Sequence, residues 1–539
     1  MIKATHLRIT VAVLCVAVAN AGDAQRNSDA QRAQTEGFVV VRFASNGGHI
    51  YELLRVEELE TGKGGGLRNP AVQALELANR GLSSAVHTGW LPAGEYRLKR
   101  FETAGSTYTA SGRLSLEELF PPFQVEAGVI TDLGTLIEQP VGGAISTVVQ
   151  WNGPDAYNDE LYEGLRSAAG GLAGSPIRWD GTIGWKYQET IATHSAPGGL
   201  ISAIAEHVVR GPNELMLKEQ WSQTASPAEL VTLIKQATIA LTRPAFDADD
   251  NAYFGSNLGQ VLRRSKNGMW TNLDTRTLDE IGGVVVDGAR LYASTVHGVL
   301  LTSTDAGAAW TVSPTRLPGR VTSMARLPSG DLLVATAGTA DLDAAIFRGP
   351  DLQTLSAEPW KRLEIGSRVK RFRNRRAMLA VSGERLIAWV HYNKSFVYDT
   401  RVDTWADTKT DADLGELLVN DAAGLVYSAG PFKNALLTAD DGRTWKTTRF
   451  SETPVAVGFR DASNGIAVVV EGGVMVSGEY FAETTADGGA TWTRVGAPPS
   501  GCMFGRYLPP TDEMVCMGRD GGIQTTKNGV DWTIERVVY

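Results

Sequence analysis

The chain has 539 residues, of which 43% are hydrophobic and 21% charged, a balance that excludes a disordered protein and a membrane protein. Its length exceeds the size at which one hydrophobic core stops growing, so we expect two or three folding units. The formal net charge of -9 makes the chain a poor candidate for nucleic-acid binding, which requires a positive surface against the phosphates, and we expect no nucleic-acid partner.

The first 21 residues predict a secretory signal peptide. Lys3 and Arg8 precede an apolar stretch from Ile9 to Ala19, and a small-residue cleavage pattern ends at Ala21. This stretch of eleven residues is too short to cross a bilayer, which takes about 20. We therefore expect a secreted or periplasmic protein without a transmembrane segment.

The segment after the leader predicts a linker followed by a β domain. Residues 22–36 are polar and have no apolar period, which is typical of a flexible linker. Residues 37–141 hold short runs rich in Val, Ile, Tyr and Phe between Gly and Pro, so we expect a small β-sandwich. Within it, Leu91-Pro92-Ala93-Gly94-Glu95-Tyr96 resembles one hairpin of transthyretin-like and carboxypeptidase-regulatory-like domains, where the turn is structural.

Residues 142–238 predict a mixed connecting region with short helices. Two helices are expected over 158–169 and 200–209. A third helix has a clearer start. Ser226 is a typical N-cap residue, Pro227 is tolerated in the first turn of a helix, and Glu229 completes a capping box with Ser226. It is expected to continue through Gln236.

The C-terminal part contains an internal repeat, Ser/Thr-x-Asp-x-Gly-x-x-Trp. Its three intact copies are Ser303, Asp305, Gly307 and Trp310; Thr438, Asp440, Gly442 and Trp445; and Thr485, Asp487, Gly489 and Trp492. Degraded copies end at Trp270 and Trp532, and only the tryptophan remains at Trp360 and Trp405. The seven tryptophans are spaced by 40, 50, 45, 40, 47 and 40 residues, which is the period of a four-stranded propeller blade.

This repeat is the motif of the Asp-box, or BNR-repeat, β-propellers, and residues 239–539 resemble that family. The resemblance implies a mainly β fold with a seven-bladed propeller after the sandwich and the mixed α/β region. It also implies that the boxes are structural and lie opposite the usual ligand face. The family includes sialidases and photosystem assembly factors, so the fold alone leaves the function open.

A recognisable catalytic set is missing from the sequence. The sialidase-like Arg-Ile-Pro strand is absent from the first blade, and no nucleophile elbow, zinc motif or phosphate loop occurs. The acidic stretch Asp247 to Asn251 lacks the glycine and terminal glutamate of a calcium loop, so we interpret it as a turn. We expect no metal and no cofactor.

A cluster of cations and aromatic residues is the candidate ligand site. Its members are Arg368, Lys370, Arg371 and Arg373 in one predicted connection, Tyr392 and Lys394 in a second, and Lys433 in a third. In a propeller these connections share the face opposite the boxes. Such a surface suits a carboxylate-rich peptide, an anionic glycan or a phosphate.

Two further expectations concern the cysteines and the function. Cys502 and Cys516 lie on neighbouring predicted strands, where they form either a disulfide or two buried thiols.

We expect an exported, non-catalytic binding or assembly protein with a protein or glycan partner. The alternative is a carbohydrate-active enzyme, a glycoside hydrolase of sialidase-like fold, that uses carboxylates on the same face.

Overall fold

The structure is a computed structural model that describes residues 31–46, 51, 53–59, 72–80, 83–102, 113–116, 119–142, 145–151, 178–179, 190–195, 226–238, 242–313, 317, 321–337, 344–363, 377–390, 395–408, 417–420, 424–429, 434–440, 442–471, 479–518 and 522–536. The predicted signal peptide and the helices predicted over 158–169 and 200–209 lie outside these residues. The chain divides into two compact units, Met1–Val231 and Thr232–Tyr539.

Eleven strands form the described part of the first unit. They are β1 (Glu36–Ser45), β2 (Leu53–Glu58), β3 (Val72–Arg80), β4 (Ser84–Pro92), β5 (Gly94–Glu102), β6 (Arg113–Ser115), β7 (Phe123–Val125), β8 (Val129–Gly142), β9 (Ile145–Trp151), β10 (Arg178–Trp179) and β11 (Thr190–Ser195).

These strands make one hydrogen-bonded sheet, where the sequence predicted a sandwich of two. The order is β11-β9-β8-β1-β4-β3-β2-β5-β6, with β10 beside β8 and β7 beside β5. The sheet covers one core that includes Phe43, Leu54, Tyr96 and Leu136. Hydrogen bonding is continuous because β1 pairs with both β4 and β8, and β9 to β11 extend the sheet beyond residue 141.

The Pro-x-Gly-x-Tyr stretch is a crossover and not the hairpin we predicted. β4 pairs with β1 and β3, whereas β5 pairs with β2, β6 and β7. The buried Tyr96 donates its hydroxyl hydrogen to the carbonyl oxygen of Pro92 at 3.0 Å, which fixes the bend. The turn therefore carries the chain from one part of the curled sheet to another.

The expected helix is present as α1 (Pro227–Gln236). The Ser226 hydroxyl accepts a hydrogen bond from the Glu229 N–H at 3.3 Å, as an N-cap does. At the other end, Asn272 and Arg536 donate to the carbonyl oxygens of Lys235 and Gln236 at 3.1 and 2.6 Å. The last carbonyl groups of a helix have no hydrogen-bond partner within the helix. Side chains therefore supply hydrogen bonds to backbone groups at both ends of α1.

The second unit holds seven four-stranded antiparallel sheets in the described residues, and we number them in chain order. Sheet 1 is β12 (Ala245–Phe246), β13 (Ala252–Gly255), β14 (Gln260–Arg264) and β15 (Trp270–Asp274); sheet 2 is β16 (Ile281–Asp287), β17 (Arg290–Thr295), β18 (Leu300–Ser303) and β19 (Thr311–Val312); sheet 3 is β20 (Val321–Arg326), β21 (Leu332–Thr336), β22 (Ala344–Gly349) and β23 (Lys361–Leu363). Sheet 4 is β24 (Ala377–Ser382), β25 (Arg385–Val390), β26 (Ser395–Asp399) and β27 (Thr404–Thr408); sheet 5 is β28 (Leu417–Asn420), β29 (Leu425–Ala429), β30 (Asn434–Thr438) and β31 (Lys446–Arg449). Sheet 6 is β32 (Thr453–Phe459), β33 (Gly465–Val470), β34 (Tyr480–Thr485) and β35 (Thr493–Gly496); sheet 7 is β36 (Phe504–Leu508), β37 (Glu513–Met517), β38 (Ile523–Thr526) and β39 (Thr533–Arg536).

Within each sheet the strands follow chain order, so the first strand is inner and the fourth outer. Apolar clusters join neighbouring sheets; Leu379 and Leu333, for example, share one cluster between sheets 3 and 4. We call the end of each sheet with the third-to-fourth strand turn the turn face, and the opposite end the loop face. Because the strands alternate in direction, inner strands begin at the loop face.

Sheets 1 and 7, which are far apart in the chain, pack against each other. Phe254 and Leu262 of sheet 1 share a buried cluster with Leu508 and Val515 of sheet 7. Arg264, whose side chain is only 2% exposed, lies 2.8 Å from the Glu513 carboxylate and 2.5 Å from that of Glu535. Sheets 1 and 7 exchange no strand among the described residues, so side chains close this seam.

The variant Glu535→Ala tests this closure. It removes one carboxylate from a buried cation and the acceptor of the Trp270 indole N–H at 2.9 Å. We expect a loss of about 3 kcal/mol in the free energy of unfolding, measured as a lower urea midpoint. Glu358→Ala, at an exposed position before β23, is the control. Equal midpoints for Glu535→Ala and the wild type would show that the seam does not depend on this cluster.

Candidate functional site

The seven candidate ligand residues, from Arg368 to Lys433, lie outside the described residues. The strands that flank them are described. Residues 364–376 join β23 to β24, 391–394 join β25 to β26, and 430–433 join β29 to β30. By chain direction, these connections all enter and leave at the loop face.

The three intact Ser/Thr-x-Asp-x-Gly-x-x-Trp turns lie on the turn face and have the same hydrogen bonds. In the first, the Ser303 hydroxyl donates to Asp305 Oδ1 at 2.8 Å and accepts the Gly307 N–H at 2.8 Å. Asp305 Oδ1 also accepts the N–H of Ala309 at 2.9 Å. The turns at Asp440 and Asp487 repeat this pattern and add a threonine hydroxyl that donates to Oδ2.

The glycine of each turn lies against the preceding sheet. Gly307, Gly442 and Gly489 have φ of 91°, 84° and 83°, a region that favours glycine. A Cβ on Gly307 would lie 2.6 Å from Leu273 Cδ1, and one on Gly489 would collide with the Thr448 hydroxyl. Two constraints, the backbone angle and the close approach, therefore require glycine.

The tryptophans of these turns fill the gaps between sheets. Trp445 packs on residues of sheets 4 and 5, and Trp492 on residues of sheets 5 and 6. The Trp492 indole N–H donates to Thr448 Oγ1 of sheet 5 at 2.8 Å. Each carboxylate, glycine and indole ring thus has a structural partner.

The degraded turn before Trp532 shows how asparagine replaces aspartate. Thr526 Oγ1 accepts the Gly529 N–H at 2.9 Å, and Asn528 Oδ1 accepts the N–H groups of Val530 and Asp531. The amide oxygen therefore supplies the acceptor that a carboxylate supplies elsewhere. A turn tolerates this exchange because the amide oxygen can accept the same kind of backbone hydrogen bonds as a carboxylate oxygen.

The stretch from Asp247 to Asn251 is also a turn. Asp247 Oδ1 accepts the N–H groups of Asp249 and Asn251, and Oδ2 accepts hydrogens from the Asn251 amide and the Tyr253 hydroxyl. Both oxygens are thus engaged by protein donors. Among the described residues, no group of three or more His, Cys, Asp or Glu side chains is placed to hold a metal ion.

Two arginines lie at the loop-face ends of inner strands. Arg243, just before β12 of sheet 1, donates to the carbonyl oxygen of Leu379 on β24 of sheet 4 at 2.5 Å. This hydrogen bond therefore joins two sheets that are not consecutive in the chain. Arg506 on β36 donates to the carbonyl oxygen of Thr242 at 3.1 Å, which places a second cation beside it. Our sequence analysis missed both, because neither belongs to a charge cluster or a motif.

The start of β36 adds exposed apolar side chains to the loop face. Met503 and Phe504 are 42% and 38% exposed. They follow Cys502, which forms a disulfide with Cys516 across the first two strands of sheet 7. Phe504 and Arg506 are two residues apart on β36, so their side chains lie on the same side of the strand. An apolar ring and a cation are therefore neighbours at this end of the sheet.

This mainly β chain, with four-stranded antiparallel sheets packed in order, has a β-propeller-like fold. Neither a protein-family model nor a curated protein matches it. YCF48 from Cyanidioschyzon merolae is similar in structure, with 16% identity and a TM-score of 0.41, over 53% of this chain and 94% of that one. A structure of YCF48 bound to D1 peptide has 16% identity and a TM-score of 0.39, over 54% and 91%. The extracellular domain of the hybrid two-component system BT4673 from B. thetaiotaomicron has 11% identity and a TM-score of 0.37, over 56% and 38%.

A membrane-crossing helix would need a long apolar segment, and the helical parts of the described residues include none.

The carboxylates of the turns make stability depend on pH. Burial opposes the charge of Asp440, but hydrogen bonds from Thr444 and Thr438 hold its pKa below the ordinary aspartate value. A lowered folded-state pKa stabilises the fold above the unfolded pKa of about 3.9, and this stabilisation disappears as the pH falls through the folded value.

We therefore expect the Asp440→Asn variant to have a lower melting temperature than the wild type at pH 7. The difference in melting temperature should become smaller between about pH 4 and pH 2. Melting temperatures at a series of pH values provide the measurement. Asp249→Asn is the control, because that exposed carboxylate accepts no hydrogen bond from the described residues. A gap that stays constant down to about pH 2 would contradict the assigned role of the Asp440 charge.

Proposed function

We propose that the second unit is a seven-bladed β-propeller of the Asp-box type and that the protein is an exported, non-catalytic binding or assembly protein. Its partner is a protein or glycan segment that carries negative charge and contacts the loop face. The observation that carries this proposal is the position of Arg243 and Arg506 at the centre of that face, in a chain whose net charge is -9.

The predicted ligand residues support the same face. The connections that contain Arg371, Tyr392 and Lys433 border the inner and second strands at the loop-face end of sheets 4 and 5. Cations that converge on one end of an acidic protein attract an anionic partner from solution and fix its orientation. The exposed Met503 and Phe504 add apolar area, which a partner must bury to be held for long.

Export is supported by the cysteines and the leader. Disulfides persist in oxidising compartments, and Cys502 and Cys516 are joined in a fully buried position. The apolar segment from Ile9 to Ala19 with its cleavage pattern predicts passage across a membrane. We therefore place the protein in the periplasm or outside the cell.

The double variant R371E/R373E tests the loop face. The probe is a synthetic peptide of alternating Glu and Ala, and the measurement is its dissociation constant by fluorescence anisotropy at about 0.1 M salt. We expect the variant to bind at least about tenfold more weakly, equal to about 1.4 kcal/mol, because two attractive charges become repulsive.

The control is R443E/K527E, which makes the same charge change at exposed positions in the third-to-fourth strand turns of sheets 5 and 7, on the turn face. This control should bind the peptide as the wild type does. An equal loss in both variants would reduce the effect to overall charge and contradict a loop-face site.

A further inference from the structure

A patch of aromatic side chains lies between the outer strands of sheets 3 and 4. These are the two sheets that keep only the tryptophan of the repeat. The ring centroids of Trp360 and Trp405 are 5.2 Å apart, and Tyr398 lies 4.7 Å from Trp360 and 5.2 Å from Trp405. Both indole rings are partly exposed, whereas Tyr398 is buried beneath them. We call Trp360, Tyr398, Trp405 and Lys361 the aromatic patch.

The indole N–H group is hydrogen-bonded in four of the other five sheets, and in sheet 5 the Trp445 indole N–H is buried without a hydrogen-bond partner among the described residues. In sheets 2 and 7, Trp310 and Trp532 donate to the carbonyl oxygen of the turn glycine at 3.1 and 3.2 Å. In sheets 1 and 6, Trp270 and Trp492 donate to side chains of the adjacent sheet. The indole N–H groups of Trp360 and Trp405 make no hydrogen bond to any residue that the structure describes. Two directed donors therefore remain at a partly exposed aromatic surface.

Lys361 gives the patch a positive charge. Its ammonium lies 5.3 Å from the Trp405 ring and 5.8 Å from that of Phe396, and within the described part of the chain it has no carboxylate partner. The nearby Arg348 differs, because the Asp331 carboxylate lies 2.5 Å from its Nη2 while its guanidinium covers the Trp360 ring at 5.0 Å. Among the residues that the structure describes, a carboxylate pairs with Arg348 and none pairs with Lys361.

We propose that the aromatic patch binds a uronic acid residue of an anionic glycan. The flat C–H face of the pyranose ring stacks on the Trp405 indole ring, the sugar carboxylate pairs with the Lys361 ammonium, and sugar hydroxyls accept hydrogens from the indole N–H groups. A cationic ligand does not suit the site, since Lys361 repels it. A neutral apolar ligand does not suit it either, because it would cover the ammonium without supplying a partner.

The patch is separate from the loop-face site. It lies on the outer strands β23 and β27 and their neighbours, whereas Arg243 and Arg506 lie at the inner strands. A glycan on the rim and a partner at the centre therefore contact different side chains. Failure of one proposal leaves the other intact.

The experiment titrates the full chain with trigalacturonate in a calorimeter and follows tryptophan emission in parallel. We expect binding in the millimolar range or tighter for the wild type, and at least about tenfold weaker binding for Lys361→Glu with an unchanged melting temperature. Lys361→Arg should retain most of the affinity, because it keeps the charge. Trp405→Phe should lose it, because the indole N–H and the larger stacking surface are removed.

The matched control is Lys527→Glu, an exposed position in the turn before Trp532. It makes the same charge change and should bind trigalacturonate as the wild type does. The neutral cellotriose should bind at least about tenfold more weakly than trigalacturonate.

Three results would overturn the proposal. They are no detectable trigalacturonate binding at millimolar concentrations, an equal loss in Lys361→Glu and Lys527→Glu, and a Lys361-dependent affinity for hexaglutamate that matches the affinity for the sugar acid. The last result would identify an acidic peptide and not a glycan as the ligand.

Discussion

The gap between neighbouring sheets is the constraint on which the second unit depends. A four-stranded sheet with two apolar faces needs a neighbour on each side, so a row of such sheets is stable only if the first also finds the last. Here the final seam joins residues about as far apart in the chain as the unit allows, Arg264 and Glu535 among them. Packing of Phe254 against Leu508 and Val515 supplies the apolar contact, and the buried ion pairs fix the register.

The turn face divides three tasks among three residue types. An acceptor closes the turn, a glycine lets it approach the preceding sheet, and an indole ring fills the remaining volume. In sheet 7, Asn528 replaces the aspartate, and its amide oxygen accepts two backbone N–H groups of the turn. Sheets 3 and 4 solve the same packing problem differently, with Trp360, Trp405 and Tyr398 in one cluster. Their indole N–H groups make no hydrogen bond to the described residues.

The distribution of cations follows from these packing tasks. Arg264 and Arg348 are paired with carboxylates and tie one strand to another. Arg243 and Arg506 donate to the backbone carbonyl oxygens of Leu379 and Thr242, and these hydrogen bonds hold both guanidinium groups at the loop-face ends of the inner strands.

The sequence alone determined the repeat, its period and the strands of each unit, because the Ser/Thr-x-Asp-x-Gly-x-x-Trp turn uses contacts within eight residues. The helix α1 was predictable for the same reason, since its cap is local. Only the tertiary structure decided that residues 36–195 contribute to one continuous sheet, that Pro92 to Tyr96 is a crossover, and that Cys502 and Cys516 are bonded. It alone brought Arg243 to sheet 4 and Trp405 beside Trp360, because partners 136 and 45 residues apart in the chain are chosen by packing, which no local pattern encodes.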